Sequence, residues 1–358
     1  MFFLGVKFLV NFCLIVFAAV LAAVALLLLY EALRAFGIRR LTYRRYFSST
    51  GVFEGESLEM IEEVTNHMLL PIIRVDIESY VSSKIKMEGY ADRNELMQHF
   101  ISSFSVIMPR TTIRRHHPCT AEKRGYYRLE SAQIMLADYD IFLKSEAELY
   151  VYPAELKMRE EEAVQRYLQL NAPSKLPLIA DRFSFAGVRE YRTTDSMNSV
   201  NFKATARHGR LMVNDTEFLM GRKIKIYLNF QPDDHATDLD EFRNRMEEAL
   251  KYIAYLCGRA EREGNRFGIG SNSHMEGGAY YINIPIGSGV VHYQEVMKEL
   301  AKIQNYEGNS FISVIDMDLF ATMTDAEVYI LTSYVDEGIE DRIGKLRSLG
   351  NTVKVVQV

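Results

Sequence analysis

Oxygen-bearing side chains cluster directly after the strand-like run KIKIYLNF, between Asn229 and Asp234. Two acids, Asp233 and Asp234, follow Gln231 there, and a later strand-like run ends in TSYVDEG, which supplies Thr332. A hard divalent cation takes several oxygen ligands, so Asp233, Asp234 and Thr332 could form a metal site. Solvated loop acids that precede or cap the next helix are the alternative interpretation.

Two other groups could do chemistry. The run RRHHPC brings His116, His117 and Cys119 together, but a zinc site needs four convergent ligands and the neighbouring sequence supplies no matching pair, which favours a loop. Asp316 and Asp318 in IDMDLF could act as the acid and base of a hydrolase working on envelope material. Solvated loop acids are again the alternative.

The familiar catalytic and nucleotide-binding motifs are missing. GIGSNS lacks the third glycine of a dinucleotide loop, and the sequence contains no phosphate loop with Gly-Lys-Ser/Thr, no Gly-x-Ser-x-Gly and no His-Glu-x-x-His. We therefore expect a non-enzymatic protein without a cofactor.

A long apolar run lies near the amino terminus. Residues 8–30, FLVNFCLIVFAAVLAAVALLLLY, carry no charge, and about 20 such residues cross a bilayer once as a helix. The run is longer than the apolar region of a signal peptide, and no small-residue cleavage site follows it, so we expect a retained anchor in the lipid bilayer.

Positive charge follows this run and is nearly absent before it. Lys7 precedes the run, whereas five arginines follow it: Arg34, Arg39, Arg40, Arg44 and Arg45. The positive-inside rule then predicts a single-pass protein of the cell membrane whose main body is cytoplasmic. The isolated cysteines, Cys13, Cys119 and Cys257, agree with a reducing compartment.

The chain of 358 residues is longer than a usual single domain. We expect an α+β multidomain protein that begins with a transmembrane anchor and basic neck over residues 1–45. Short alternating runs over 46–155 predict an antiparallel β-sandwich or barrel, interrupted near residues 83–103 by a short helix or long loop. Residues 156–222 hold an amphipathic helix, a linker and a basic segment. Strands that alternate with helices over 223–358 predict a doubly wound α/β domain.

The basic segment, Arg189–Leu211, gathers positive charge in a chain whose formal net charge is −5. Asp195 is expected to N-cap a short helix that Gly209 ends, before a strand RLMVND. The segment could brace the fold or bind an acidic protein partner. The candidate partner-binding residues are Arg189, Tyr191, Arg192, Asp195, Lys203, Arg207 and Arg210. Nucleic acid is not expected, because the net charge is negative and no aromatic platform accompanies the basic residues.

The same segment resembles the signature of the family called domain of unknown function 58. The matching words are REYR (189–192), Asp195, NFKA (201–204), AR (206–207) and GRL (209–211), and RRYFSSTGVFEGE, LPIIRV, RGYYRL, DYDIF and LYVYP follow the family order upstream. The resemblance spans nearly the whole chain. It implies a membrane-anchored bacterial protein with a von Willebrand factor type A-like domain at its carboxyl end.

Three departures from the family pattern stand out. Phe202 replaces the usual tryptophan, and one membrane span replaces the common two. The metal motif Asp-x-Ser-x-Ser of type A domains reads Asn229 to Asp233 here, which removes the usual ligands. The resemblance implies an adaptor for a MoxR-type AAA ATPase and possibly a transglutaminase-like membrane protein, with metal-dependent binding at a rearranged site as an alternative.

Overall fold

The computed structural model describes residues 2–38, 40–88, 97–136, 139–156, 185–191, 200–216, 221–232 and 238–358. The chain divides into two compact units, one ending at Ala154 and one beginning at Glu155. The amphipathic helix expected near the start of residues 156–222 lies outside the described residues, apart from Leu156.

The first unit begins with a long helix, α1 (Phe2–Ile38). Its candidate membrane span, Asn11–Tyr30, has 20 residues, and none of that span is buried against the rest of the protein. At 1.5 Å per residue the span is about 30 Å long, the thickness of a bilayer core. The chain thus has an N-terminal helix long and apolar enough to span a membrane.

Two sheets follow α1. Their strands are β1 (Leu41–Phe47), β2 (Gly51–Phe53), β3 (Ser57–Asn66), β4 (Ile72–Ser82), β5 (Ile85–Met87), β6 (Met97–Ile107), β7 (Thr112–Ala121), β8 (Gly125–Leu136) and β9 (Tyr139–Tyr152). One sheet has the order β1-β3-β7-β5 and the other β2-β9-β8-β4-β6. All these pairs are antiparallel except β2 with β9, which is parallel. The expectation of a wholly antiparallel domain was wrong at this edge.

The two sheets share an apolar core. Met60 and Cys119 from the first sheet cluster with Phe100 and Leu149 from the second, and all four are buried. This follows from the period-two pattern, since alternate side chains of each strand point to one face. The pattern along β3, from Leu58 to Val64, is the clearest example.

Two parts of the first unit differ from the sequence-based expectation. β1 begins at Leu41, so Arg44 and Arg45 belong to a strand and not to a basic neck. Residues expected to form a short helix or long loop form β5 and most of β6, with 89–96 outside the described residues. Strand formation is explained by burial, because Ile85, Met87 and Phe100 all enter the shared core.

The second unit contains a small sheet, a larger sheet and several helices. Its elements are β10 (Phe185–Glu190), α2 (Phe202–His208), β11 (Met212–Thr216), β12 (Lys223–Leu228), α3 (Leu239–Arg262), β13 (Arg266–Ser271), β14 (Ser273–Met275), β15 (Ile282–Asn283), α4 (Val290–Lys302), β16 (Ile303–Glu307), α5 (Phe311–Phe320), β17 (Ala326–Thr332), α6 (Glu337–Ser348) and β18 (Thr352–Gln357). β10 pairs with β11, and β14 pairs with β16.

The larger sheet has the order β15-β13-β12-β17-β18. β12, β13, β17 and β18 are parallel, and β15 is an antiparallel edge strand. Tyr227 and Val328 pack with buried residues of α5 and α6 on one face. On the other face Tyr329 lies near Tyr252 of α3. Helices cover both faces, and the α+β class expected for the whole chain is confirmed.

Candidate functional site

β13 and β17 lie on opposite sides of β12, so the strand order of the sheet reverses between β12 and β17. In open α/β sheets ligands bind at the carboxyl ends of the strands beside such a reversal, so the crevice at the carboxyl ends of β12 and β17 is the first place to seek a ligand. Asn229 follows β12 and donates from Nδ2 to Thr332 Oγ1 at 3.1 Å. Its Oδ1 accepts from Asn272 Nδ2 at 3.1 Å and from the Gln231 amide at 3.0 Å. Asn229, Asn272 and Thr332 are all buried.

These contacts bond the buried polar groups at the strand ends to other neutral groups of the protein. The Thr332 hydroxyl also donates to the Tyr334 carbonyl at 2.8 Å, so both of its bonding roles are used. Asp233 and Asp234 lie outside the described residues. Among the described residues, no three His, Cys, Asp or Glu side chains are grouped to hold a metal ion. Because two of its three candidate ligands lie outside the described residues, the rearranged metal site stays a prediction.

The basic segment folds locally into β10, α2 and β11. Arg189 pairs with Val213 in the ladder between β10 and β11, and the Tyr191 amide donates to the Leu211 carbonyl at 2.8 Å. Val200 bridges Val213, and both side chains are buried. The outer parts of the signature are thus held together through backbone pairing and a few apolar side chains.

The start of the short helix differs from the prediction. Asn201, not Asp195, caps α2, and its Oδ1 accepts from the Ala204 amide at 3.0 Å. Val200 is in a β-bridge, so the helix cannot begin before it. Asp195 and Arg192 lie outside the described residues. The predicted end is confirmed, since Gly209 has φ 67°, the left-handed conformation that glycine tolerates best.

α2 presents its side chains to solvent. It has no buried residue, and Phe202 is 75 % exposed. Lys203 and Arg207 lie on the exposed helix, whereas Arg210 pairs with Glu190 across 2.5 Å. This ion pair raises the pKa of Arg210, but both partners are exposed and solvent screens the pair. The described part of the segment therefore combines positive charge with an exposed aromatic ring.

A second polar constellation lies inside the larger sheet, where Lys225 is fully buried on the central strand. Its Nζ contacts Asp318 Oδ2 at 2.9 Å, Asn283 Oδ1 at 2.6 Å and the Ile284 carbonyl at 3.0 Å. Tyr227 donates to the same Asp318 oxygen at 2.5 Å. Burial lowers the pKa of Lys225, and the charge of Asp318 opposes this shift. The three ammonium protons have three acceptors, which leaves the amine no hydrogen-bonding capacity for a substrate.

Asp316 and Asp318 do not form a catalytic pair. They lie on α5, not in a loop, and side chains two positions apart on a helix point in different directions. Asp316 binds the Arg342 guanidinium through both oxygens, at 3.1 and 3.2 Å. Asp318 is held by Lys225 and Tyr227. Each acid therefore has its own cation, and the geometry gives the hydrolase alternative no support.

His116, His117 and Cys119 do not converge either. They lie within β7, so His116 faces the opposite side from the other two. His116 contacts Glu59 at the surface, at 2.8 Å, while Cys119 is buried with its pKa raised to about 11 by burial. The loop expected around these residues is a strand.

A buried acid, Glu62, organises the polar part of the first unit. It accepts from Tyr43 Oη at 3.0 Å and from Ser102 Oγ at 2.6 Å, and His117 Nε2 lies 3.3 Å away. Arg45 is also buried, and its charge acts on Tyr43 and Glu62. Since Ser102 belongs to the second sheet, the network joins the two sheets.

Sequence reasoning missed both buried networks, although a signal was present. Arg45 takes the inward position in the alternation Leu41, Tyr43, Arg45, Phe47. Lys225 lies within a run that was recognised as a strand. A charge at an inward strand position predicts a buried partner, because an unpaired buried charge is costly.

Buried tyrosines make the free energy of unfolding fall as the pH rises in alkaline solution. Burial is the first cause that raises the pKa of Tyr43, Tyr227, Tyr252 and Tyr329 in the folded state, and it raises that of Tyr293 to about 12. Below about pH 10 both folded and unfolded tyrosines are protonated. Above it the unfolded state releases protons first, so stability falls by about 1.4 kcal/mol per pH unit for each such tyrosine.

Absorbance of tyrosinate, recorded with circular dichroism during an alkaline titration, checks this. We expect these tyrosines to ionise together with loss of structure. Their ionisation near pH 10 in the intact fold would contradict the prediction.

Comparison with known proteins identifies no family. No protein-family model and no curated protein matches the chain. Solved structures with partial similarity include an alkylpurine DNA glycosylase from Pseudomonas fluorescens. It is 8 % identical, the match covers 31 % of this chain and 30 % of the glycosylase chain, and the TM-score is 0.22. A CARDB domain from Pyrococcus furiosus has 14 % identity, 31 % and 92 % coverage and a TM-score of 0.22. A non-cellulosomal cohesin from Archaeoglobus fulgidus has 9 % identity, 35 % and 97 % coverage and a TM-score of 0.22. At these TM-scores the similarities indicate neither a fold family nor a function.

Proposed function

We propose that this protein is a membrane-anchored, non-enzymatic adaptor that binds a protein partner through the exposed surface of α2. We call this surface the α2 patch and define it by Phe202, Lys203, Arg207 and Arg210. The observation that carries the proposal is that α2 buries none of its residues and leaves Phe202 75 % exposed. An aromatic ring next to positive charge is a typical centre for a protein interface.

The rest of the described molecule supports a binding role over a catalytic one. Asn229, Lys225 and Glu62 each belong to a separate buried polar cluster. Within each cluster the polar groups bond to neighbouring groups of the protein. A catalytic centre needs groups that can reach a substrate. Lys203 and Arg207, in contrast, project from an exposed helix and suit an acidic surface.

The resemblance to domain of unknown function 58 supplies the proposed setting. We infer that the two sheets of the first unit form a β-sandwich and that the second unit is von Willebrand factor type A-like. The arginines after α1 favour a cytoplasmic main body. The partner is then a MoxR-type AAA ATPase at the cytoplasmic face, with a transglutaminase-like membrane protein as a further member of the assembly.

Affinity capture tests the proposal. Tagged full-length protein is solubilised in detergent, captured from its own cells with and without ATP, and analysed by mass spectrometry. We expect the ATPase to be recovered with the wild type and lost with Lys203→Glu/Arg207→Glu, since reversal of two charges replaces attraction by repulsion.

The matched control is Lys345→Glu/Arg347→Glu, which makes the same charge change on the exposed side of α6 in the same unit. Circular dichroism establishes that both variants fold. Equal recovery of the ATPase with both variants would exclude the α2 patch as the binding surface, and recovery of no ATPase by the wild type would exclude this partner.

A further inference from the structure

Two loops at one end of the first unit form an exposed apolar tip beside the end of α1. We define the tip as residues 67–74 and 106–111. Leu69 is 71 % exposed and Met108 is 58 % exposed, and Leu70, Ile73 and Val106 are also exposed. Side chains of this size are usually buried, so five on these loops and the adjoining strand ends form an apolar patch that needs a function.

The tip lies where the anchor enters the domain. α1 ends at Ile38 and β1 begins at Leu41, which pairs with Asn66 at the end of β3. The His67 amide donates to the Arg40 carbonyl at 3.3 Å, and β4 contacts α1. The loop after Asn66 therefore lies at the end of the first unit where the anchor enters.

A buried amide holds both loops in place. Asn66 Nδ2 donates to the carbonyls of Leu70, Ile107 and Met108, at 2.9, 3.1 and 3.2 Å. Its Oδ1 accepts from the Met68 amide at 2.9 Å. The apolar side chains are thus fixed in an exposed arrangement, which lowers the entropic cost of binding a surface.

The charge of the tip is suited to anionic lipid. The segments NHMLLPIIR and VIMPRT contain no Asp or Glu, and each contributes an exposed arginine, Arg74 or Arg110. Both arginines have left-handed backbone, with φ 56° and 52°. A positive φ is energetically unfavourable for residues other than glycine, including arginine. Backbone strain of this kind concentrates at functional sites. At Arg74 it coincides with a break in the alternation that exposes Ile73 and Arg74 together.

The distances agree with a bilayer contact. Residues 31–38 continue the helix beyond the candidate span, a rise of about 12 Å. The headgroup layer occupies roughly 5 to 8 Å of each leaflet. Leu69 lies three residues beyond Asn66 at this end of the unit, and a helix tilt of about 20° shortens the separation further. The tip can therefore reach the boundary between headgroups and acyl chains.

We propose that the tip docks on the membrane that α1 spans, with Leu69, Leu70 and Met108 inserted among the headgroups and Arg74 and Arg110 against anionic lipid phosphates. This inference rests on the anchor role in the proposed function. It adds a second membrane contact, which fixes the orientation of the first unit at the bilayer surface.

Nitroxide labels on full-length protein test the docking. The protein is placed in nanodiscs of phosphatidylcholine with phosphatidylglycerol, and power saturation compares collisions with oxygen, which enters lipid, and a water-soluble nickel chelate. Single cysteines replace Leu69, Met108, Leu21 in the candidate span, or Lys123 at the far end of the unit, in a Cys13→Ala background. Cys119 and Cys257 are buried with raised thiol pKa values, which limits their labelling.

We expect labels at 69 and 108 to favour oxygen, as at 21, and the label at 123 to favour nickel. If 69 and 108 match 123 while 21 lies in lipid, docking is excluded and the anchor stands. If 21 is also exposed to water, the anchor itself fails and the docking with it.

A nitroxide is itself apolar, so a second arm leaves the tip's apolar side chains intact. A label on His67→Cys, at an exposed position, should collide more with oxygen than with nickel when the rest of the tip is wild type. It should lose that preference when Leu69→Asp/Met108→Asp is added. Retention of the lipid signal in this double variant would overturn the proposal, because the inserted side chains would not be responsible for it.

Discussion

Replacing Lys225 with methionine is expected to lower the free energy of unfolding of the second unit by about 3 kcal/mol. Removal of one partner of a buried ion pair costs about 3 to 5 kcal/mol, because the other charge is left buried without compensation. The low end applies here, since the Asp318 side chain is 14 % exposed and keeps the bond from Tyr227. The lysine itself is fully buried.

The informative comparison is with Lys225→Met/Tyr227→Phe/Asp318→Leu, which removes the charges and the hydroxyl together. Replacement of a buried ion pair by apolar side chains of similar volume is often neutral, so we expect this triple variant to regain part of the lost stability. The remaining loss reflects the Asn283 amide and the Ile284 carbonyl, which no longer have Lys225 as a donor. Lys223→Met is the matched control on the same strand. Its ammonium group donates to the Thr324 carbonyl at an exposed position, and its loss should change stability by about 0.5 kcal/mol or less.

Amide hydrogen exchange on the intact protein in detergent measures these changes, since the protected amides of β12 and β17 report the stability of the second unit. The chain has no tryptophan, which removes the usual fluorescence signal. A loss from Lys225→Met no greater than that from Lys223→Met would show that the buried pair does not stabilise the fold.

The sequence predicted regular elements wherever one physical rule dominated. Residues 12–30 carry no charged or strongly polar side chain, and α1 covers them. Asp238 has the residue type that favours an N-cap and directly precedes α3, and its carboxylate accepts from the Asp240 and Glu241 amides. Gly209 ends α2 because a left-handed residue is required there. Local chemistry decides each of these features.

Features that depend on distant contacts could not be predicted in the same way. The pairing of Glu62 with Ser102 joins residues 40 positions apart, and Lys225 meets Asp318 across 93 positions. Local alternation gives the direction of a side chain but not its partner. The predicted N-cap of α2 was wrong for a related reason. The β-bridge between Val200 and Val213 prevents α2 from starting at Asp195.

The second large effect is expected at Glu62, where substitution by leucine should destabilise the first unit by about 4 kcal/mol. Glu62 is fully buried and accepts from Tyr43 and Ser102, so its loss leaves two hydroxyl groups without their acceptor. Arg45, buried nearby, loses the acid whose charge acts on it. An uncompensated buried charge is the larger of these penalties.

Glu59→Leu is the matched control, because Glu59 lies on the same strand but on the outer face. Its side chain is half exposed and contacts the exposed His116, so we expect a change of about 0.5 kcal/mol or less. Glu62→Gln keeps the shape and removes the charge, and its loss of stability should lie between those of Glu62→Leu and Glu59→Leu.

Amide hydrogen exchange in β3 and β7 should become much faster in Glu62→Leu, while exchange in β12 serves as the internal reference. If Glu62→Leu and Glu59→Leu lose equal stability, the two sheets are held by their apolar core alone. A strong, charge-dependent loss would show that Glu62 holds them together through Ser102 and Arg45.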